Sequence, residues 1–360
     1  MIAVRLTRPV DWDALGERWR ALEARAQGSF FQSWTWTGCL AAERFADPIL
    51  IEATEAGQTV GLALANRRPG LFRGTLHWGE SGDPRLDCIY VEHNGPLTLA
   101  GREAEVARAM IAEASARYDL ILGGLDESGL AAARAAASVL IQKSALAPFA
   151  DLAAARRTPG GYLMLCTANT RQQIRRSDRA YAAVGTLRIG RAAAIEEASA
   201  WLDDLARLHQ ATWTARGRDG AFAAPFFARF HHALIRRGLP RGEIDLLRVT
   251  AGRETVGILY NFRYAGRVMA YQSGFAYSDA HKARKPGMTS HSQAIQYSMT
   301  DGADIYDFLA GGDRYKRSLA TREPWLYWVM AGPVWAPRLL AGRAAAWLGN
   351  RLAGMRGRGK

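Results

Sequence analysis

The stretch EIDLLRVTAGRETVGILYNFRYAGRVMAYQSGF, residues 243–275, decides the fold. It contains three apolar runs, Glu243–Thr250, Thr255–Phe262 and Arg267–Phe275, with Gly252 and Gly266 in the short gaps between them. Runs of this length, rich in β-branched and aromatic residues and broken by glycine, read as successive strands joined by hairpins. Downstream, Pro286–Thr300 reads as a helix and Ile305–Leu309 as a short buried strand. Upstream, Thr167–Tyr181, Ile195–Trp213 and Pro225–Arg236 carry helical patterns. The order helix, three antiparallel strands, helix, parallel strand predicts an α/β fold with mixed sheets. It also sets a helix N-terminus beside the open end of a strand, where phosphate binds readily.

The first half repeats this order. Ile2–Thr7 reads as a strand, and Trp12–Arg25 as a helix with Leu15, Trp19 and Leu22 on one face. Ser33 can cap a helix that runs through Phe45. Ile49–Thr54 and Thr59–Asn66 flank the turn Glu55-Ala56-Gly57-Gln58, and Leu71–Gly79 reads as a third strand. A helix over Arg102–Arg117, a strand over Asp119–Leu122, a helix over Ser128–Ala137 and a strand near Val139–Lys143 follow. Sliding the chain so that Thr59-Val60-Gly61 falls on Thr255-Val256-Gly257 also matches Leu50 with Leu246, Thr54 with Thr250, Arg67 with Arg263 and Gly70 with Gly266. Identity at the same structural step predicts a duplication. The pattern breaks near Ala153–Gly161, at Arg156, Arg157, Pro159, Gly160 and Gly161. The expected domains are therefore residues 1–155 and 156–330, the second ending in a strand over Trp325–Met330, followed by a tail, 331–360.

In the tail, Leu340, Trp347, Leu348, Leu352 and Met355 recur at helical spacing between Arg338, Arg343, Arg351, Arg356, Arg358 and Lys360. A basic amphipathic helix of this kind suits an anionic membrane surface, an anionic ligand or a binding partner, and Trp325, Trp328 and Trp335 just before it suit an interface. The whole chain has 47 basic against 34 acidic residues, a net charge of +13, which favours anionic partners. The N-terminal segment carries Arg5, Arg8, Asp11 and Asp13 where a signal peptide would need an apolar core. No eighteen-residue uncharged apolar run occurs. The expected location is the cytoplasm, with peripheral attachment at the inner face of a membrane. Cys39, Cys88 and Cys166 are too scattered for a disulfide framework or a zinc site and are expected to be buried. No Walker loop, serine nucleophile elbow or Rossmann fingerprint is present.

The chemistry concentrates where the downstream helix begins, at Arg284-Lys285-Pro286-Gly287-Met288-Thr289-Ser290-His291. Proline suits the first helical turn, Gly287 lets a ligand approach the backbone, and Arg284 and Lys285 add charge beside free N–H groups. These features together suit a pyrophosphate.

Arg284-x-x-Gly287-x-Thr289 resembles the acyl-CoA pyrophosphate loop of the GNAT superfamily, usually Gln/Arg-x-x-Gly-x-Gly/Ala, with Thr289 as a departure. The run Tyr306-Asp307-Phe308-Leu309-Ala310-Gly311-Gly312-Asp313-Arg314-Tyr315-Lys316 resembles the ending of the CelD-like acetyltransferases linked to cellulose and exopolysaccharide synthesis. Those are relatives of the Fem aminoacyl ligases. Leu208-His209-Gln210-x-x-Trp213-x-x-Arg216-Gly217 and Phe31-Gln32-Ser33-x-x-Trp36 are similar to stretches of the same family. The resemblance implies a tandem GNAT-like fold. It also implies acetyl-CoA, or another acyl-CoA, as co-substrate with no metal, and an amino sugar or polysaccharide precursor as acceptor.

N-acyl transfer needs a neutral amine, a polarised thioester carbonyl and a proton for the departing thiolate. Tyr271-Gln272-Ser273-Gly274-Phe275 can offer the carbonyl a backbone N–H where strands splay, with Gly274 permitting a bulge. The candidate cofactor residues are Arg284, Lys285, Gly287, Met288, Thr289, Ser273 and Phe275. Asp307, at the end of a buried strand, Lys316, after a Gly-Gly turn, Tyr315 and His209 are the candidate catalytic residues, and His291 is a second candidate base. Two other functions fit the charge: Fem-like aminoacyl transfer from a charged tRNA, and regulatory binding of an anionic nucleotide. The N-terminal half has the acidic Gly82-Asp83-Pro84 where a phosphate loop would fall, so it is expected to shape the acceptor cleft.

Overall fold

The computed structural model describes residues 1–278 and 281–345. The chain divides into two compact units, Met1–Ser144 with Leu326–Lys360, and Ala145–Trp325.

The first unit starts with β1 (Ala3–Thr7), α1 (Trp12–Glu23) and α2 (Trp34–Arg44). Asp11 and Ser33 cap the two helices, their side chains accepting from the Ala14 and Trp36 N–H groups. Leu15, Trp19 and Leu22 are buried on the inner face of α1. Then come β2 (Pro48–Glu55), β3 (Gln58–Arg68), β4 (Thr75–Trp78), β5 (Leu97–Thr98), α3 (Glu103–Arg117), β6 (Asp119–Leu125), α4 (Glu127–Ala136) and β7 (Ser138–Leu146). The expected third strand is shorter than its sequence pattern, because Leu71 and Phe72 lie in the loop before β4 and are exposed.

The second unit contains β8 (Phe149–Asp151), α5 (Leu152–Arg157), α6 (Tyr162–Leu165), α7 (Ala168–Ala182), β9 (Leu187–Arg191), α8 (Ile195–Ala215) and α9 (Pro225–Gly238). It continues with β10 (Ile244–Ala251), β11 (Glu254–Tyr264), β12 (Arg267–Phe275), α10 (Pro286–Thr300), β13 (Ile305–Asp307) and α11 (Arg314–Leu319). The compositional break at 153–161 lies inside this unit. Asp151 caps α5, and Leu152, Ala155 and Tyr162 are buried in the unit's core.

The last strand, β14 (Trp325–Gly332), corrects the sequence reading. It lies in the first sheet, whose order is β1-β2-β3-β4-β6-β14-β7, not at the end of the second half. The second sheet runs β8-β13-β12-β11-β10-β9. A strand pattern fixes which face of a strand is apolar, but not which open edge it pairs with.

The duplication is visible in the register. In β2–β3 the ladder shifts between Ala53 and Thr54, with Ala53 opposite Gly61 and Thr54 opposite Thr59. In β10–β11 it shifts between Val249 and Thr250, with Val249 opposite Gly257 and Thr250 opposite Thr255. The two triplets thus sit at the same irregularity, one of the devices that bend a strand pair. The burial patterns of β3 and β11 are the same along eleven residues. Both glycines lie under a helix. A methyl on Gly61 would lie 2.5 Å from the Val106 Cγ1 on α3, and one on Gly257 2.5 Å from the Ser290 Oγ on α10.

Each unit has its own core, the first around Trp78, Met110 and Leu122, the second around Leu247, Leu259 and Tyr306. Cys39 and Cys166 are buried as expected, and Cys88 is half-buried. The tail is helical from 337 to 345, with Leu339 and the preceding Ala336 buried and Arg343 donating to the Ser138 hydroxyl. The expected apolar positions Trp347, Leu348, Leu352 and Met355 lie outside the described residues. No helix among the described residues is long and apolar enough to cross a membrane.

Candidate functional site

In the second unit, β12 pairs in parallel with β13 only over Arg267–Met269. β13 ends at Asp307, and the chain turns at Leu309, whose φ is +59°. β12 runs on to Phe275, so its edge from Ala270 onward is open to no named strand on that side. The bulge is at Tyr271, because Tyr260 faces Gln272 while Asn261 faces Ala270. It was expected at Gly274, which instead stays in register with Ile258. Gly274 has a packing role: a methyl there would lie 2.5 Å from the Leu205 carbonyl oxygen of α8.

Helix α10 begins beside this open edge, with Pro286 in its first turn and Pro286–His291 all buried. Helix α7 packs on this end. The Ser177 hydroxyl accepts from the Lys285 N–H at 2.8 Å. The Lys285 carbonyl takes the Thr289 N–H, and the Thr289 hydroxyl donates to Asp178 at 2.8 Å. Among the described residues no acceptor meets the N–H groups of Gly287 and Met288. Two orphan donors at a helix start suit an anionic oxygen. The Thr289 side chain turns toward α7, so its departure from the Gly/Ala pattern leaves the helix end itself uncovered. Arg284 lies over the Tyr181 ring at 5.6 Å and 3.7 Å from the Glu254 carboxylate, and the Lys285 Nζ donates to Gln173 at 2.7 Å. Burial raises the Asp178 pKa, offset in part by the Thr289 hydroxyl.

The candidate bases behave differently. His209 on α8 uses both ring nitrogens: Nδ1 is 3.1 Å from the Ser273 carbonyl, and Nε2 accepts from the Ala221 N–H at 3.3 Å. This fixes the neutral Nδ1–H tautomer, and burial lowers the pKa further from neutrality. His209 therefore ties α8 to β12, and Ser273 contributes its backbone carbonyl to that tie. His291 is buried, with Nδ1 3.0 Å from the Tyr306 hydroxyl and Nε2 without a partner among the described residues. Burial, then the charge of Lys316, pushes its pKa down to about 3.

The rings of Phe275, Tyr306 and Phe308 surround His291, and Tyr315 stacks on it with centroids 5.4 Å apart. The structure thus brings together His291, Phe275, Tyr315 and Lys316. Burial raises the Tyr315 pKa well above its ordinary value, with Asp313 adding to it. Asp307 and Lys316 brace the connection. Asp307 pairs with Arg267 at 2.5 Å and accepts from the Leu309 N–H, and the Lys316 Nζ donates to the Ala310 carbonyl at 2.9 Å. Met288 packs into the core. Sequence reasoning missed Ser177, Asp178 and Arg267, whose roles arise across 108 and 111 residues for the first two and 40 for the third. Tyr306 stood inside the quoted run, and only the fold pairs it with His291. No group of three His, Cys, Asp or Glu side chains among the described residues could hold a metal.

Residues 168–317 match the family model described as an acetyltransferase (GNAT) domain. The match covers fewer than half of the chain's residues and supports an N-acyltransferase enzyme. Among solved structures, it is similar to FemX, with a TM-score of 0.61 and 9% identity, covering 94% of this chain and 99% of that one. It is also similar to the C-terminal domain of a putative lysylphosphatidylglycerol synthetase from Agrobacterium fabrum, at TM-score 0.55 and 11% identity over 93% and 95% of the two chains. A third is L-PGS from Bacillus licheniformis, at TM-score 0.55 and 11% identity over 93% and 96%. At these identities the likeness is one of fold. A sequence search of curated proteins found no match.

Proposed function

We propose that this enzyme transfers an acyl group, acetyl foremost, from CoA to the amine of an amino sugar or a related amine in a cell-envelope or exopolysaccharide precursor. The observation that carries the cofactor part is the start of α10. Its Gly287 and Met288 N–H groups, without an acceptor among the described residues, lie beside the open edge of β12, a donor set that fits the pyrophosphate of CoA. The acceptor class rests on the resemblance of Tyr306–Lys316 to the CelD-like ending.

CoA supplies the acyl group as an activated thioester. The backbone of β12 beyond Met269 can donate to the thioester carbonyl. As the N–C bond forms and the C–S bond breaks, the Tyr315 hydroxyl, which burial keeps protonated at neutral pH, can give its proton to the departing sulfur. The amine releases its proton to water, because both nitrogens of His209 are engaged, and the Tyr315 oxygen regains a proton from water. Asp307 and Lys316 act as positioning residues for the turn that carries Tyr315. The tail from 337 would attach the enzyme to an anionic membrane at its cytoplasmic face, beside membrane-bound acceptors.

The test measures free-thiol release from acetyl-CoA against a panel of amino sugars and polysaccharide precursors, with CoA, charged tRNA and cyclic dinucleotides titrated in parallel. Acetyl-CoA turnover that requires an amino sugar supports the reading. Transfer of the aminoacyl group from charged tRNA to the acceptor, with no thiol released from acetyl-CoA, would replace it with aminoacyl transfer. Binding of a nucleotide without turnover would replace it with regulation.

A further inference from the structure

The strand ends of the first unit's sheet fall on two rims. Thr7 of β1 faces Leu50, Pro48 of β2 faces Asn66, Arg68 of β3 faces Thr75, Thr75 of β4 faces Asp119, and Leu120 of β6 faces Ala331. The loops 8–11, 69–74 and 333–336 therefore leave the sheet from the same rim. On them stand Val10, Leu71, Phe72, Val334 and Trp335, exposed by 94%, 96%, 82%, 63% and 60%. One exposed apolar residue needs no explanation, but five on a single rim do.

The tips are held in place. Gly70 makes a tight turn, since a methyl on it would lie 2.0 Å from the Arg73 carbonyl oxygen. Arg73 is anchored below by Asp119 at 3.2 Å and by the Ser115 and Ala116 carbonyls. Its guanidinium also lies 5.1 Å from the Trp335 ring, which joins the 69–74 loop to the 333–336 turn. Arg8 and Arg67 flank the rim and share Asp47. Arg338 is exposed and has no carboxylate partner among the described residues. The sequence that follows, residues 346–360, adds Arg351, Arg356, Arg358 and Lys360 and no acidic residue.

We propose that this rim is a membrane-docking edge, with Leu71, Phe72 and Trp335 entering the interfacial region of an anionic bilayer while the neighbouring arginines meet its headgroups. Aliphatic and aromatic tips beside arginine suit that interface, where apolar burial and headgroup attraction add. A second copy of the chain is a poorer occupant, because it would bring two positively charged rims face to face. The proposal rests on the reading that the enzyme works at an anionic membrane, and it adds a second contact independent of residues 346–360.

The test is vesicle sedimentation of the full chain with phosphatidylglycerol–phosphatidylcholine vesicles at low salt, with phosphatidylcholine vesicles as control. The full chain is expected to bind the anionic vesicles. A Leu71→Ser/Phe72→Ser variant is expected to bind at least about tenfold more weakly, the scale of withdrawing two apolar side chains from burial. Trp335→Ala should act in the same direction, and the thermal midpoint of the Leu71→Ser/Phe72→Ser variant should hold because both side chains are exposed. A chain ending at Ala345 should keep part of the binding. If the loop variant binds like the parent while the shortened chain does not bind, the rim is overturned and attachment through the tail stands. If the full chain ignores anionic vesicles, both ideas fail. If the loop variant instead turns a dimer into a monomer, the rim is an interface between copies and the proposal is wrong.

Discussion

Replacing Gly287 by valine tests the cofactor site most directly. In the present structure a methyl at this position would lie 3.3 Å from the Phe275 ring and 3.6 Å from its next atoms. That is tight, but Phe275 is half-buried and sits at the end of its strand, so it can yield by a few tenths of an ångström. The backbone φ is helical, so no left-handed strain opposes a side chain. Folding should therefore lose no more than about 1 kcal/mol, the order of a β-branched misfit in a helix that gains propensity over glycine. Binding should change much more. The valine methyls would stand over the Gly287 and Met288 N–H groups and keep an anionic oxygen from reaching them. A hydrogen bond to a charged group contributes about 1.5–3 kcal/mol, so CoA affinity should fall by roughly ten- to a hundredfold. Isothermal titration with CoA, run beside a thermal melt, separates the two effects. Thr289→Ala is the contrasting control: it removes the bond to Asp178 and should lower the melting temperature with little change in CoA affinity. Unchanged CoA affinity in a folded Gly287→Val protein would move the cofactor site away from α10.

Three further outcomes are expected. Tyr315→Phe, Lys316→Ala and Asp307→Asn should each lower kcat at least about tenfold with CoA affinity retained, and Asp307→Asn should also lower the melting temperature, because it leaves Arg267 without its carboxylate. Full activity on the true acceptor in all three would remove this turn from the mechanism. The folded-state pKa of His291, about 3, lies below the ordinary value, so the unfolded chain takes up a proton that the folded chain refuses. The associated stability is therefore complete above about pH 6.5 and is lost as the pH falls toward 3, by up to about 1.4 kcal/mol per pH unit, and His291→Gln should flatten a melting curve taken from pH 7 to pH 5. Gly61→Ala and Gly257→Ala should each destabilise by about 1–3 kcal/mol in denaturant titrations, because both methyls would meet helix side chains at 2.5 Å. A neutral result at one site alone would show that the two units no longer pack their helices alike.

Much of the fold was legible because it rests on local periodicity. The hairpins, the helix over Pro286–Thr300 and the cap at Ser33 follow from apolar spacing and short-range hydrogen bonds. The matched triplets pointed to a duplication, and the shared register shift bears this out. Gly287 and its neighbours could be read as a phosphate-binding helix start because that chemistry lies within one turn. Tertiary structure decided what depends on contacts far apart in sequence. Trp325–Gly332 is a strand by pattern, but it lies between β6 and β7 because strand pairing is set by available edges. His209 is a candidate base by residue type, yet the Ser273 carbonyl and the Ala221 N–H consume both of its nitrogens. His291 looked equivalent in sequence, and burial among aromatic rings makes it a neutral imidazole with one nitrogen unpartnered among the described residues. Residue type and spacing determine which groups can do chemistry, while desolvation and long-range hydrogen bonds determine which of them are free to do it.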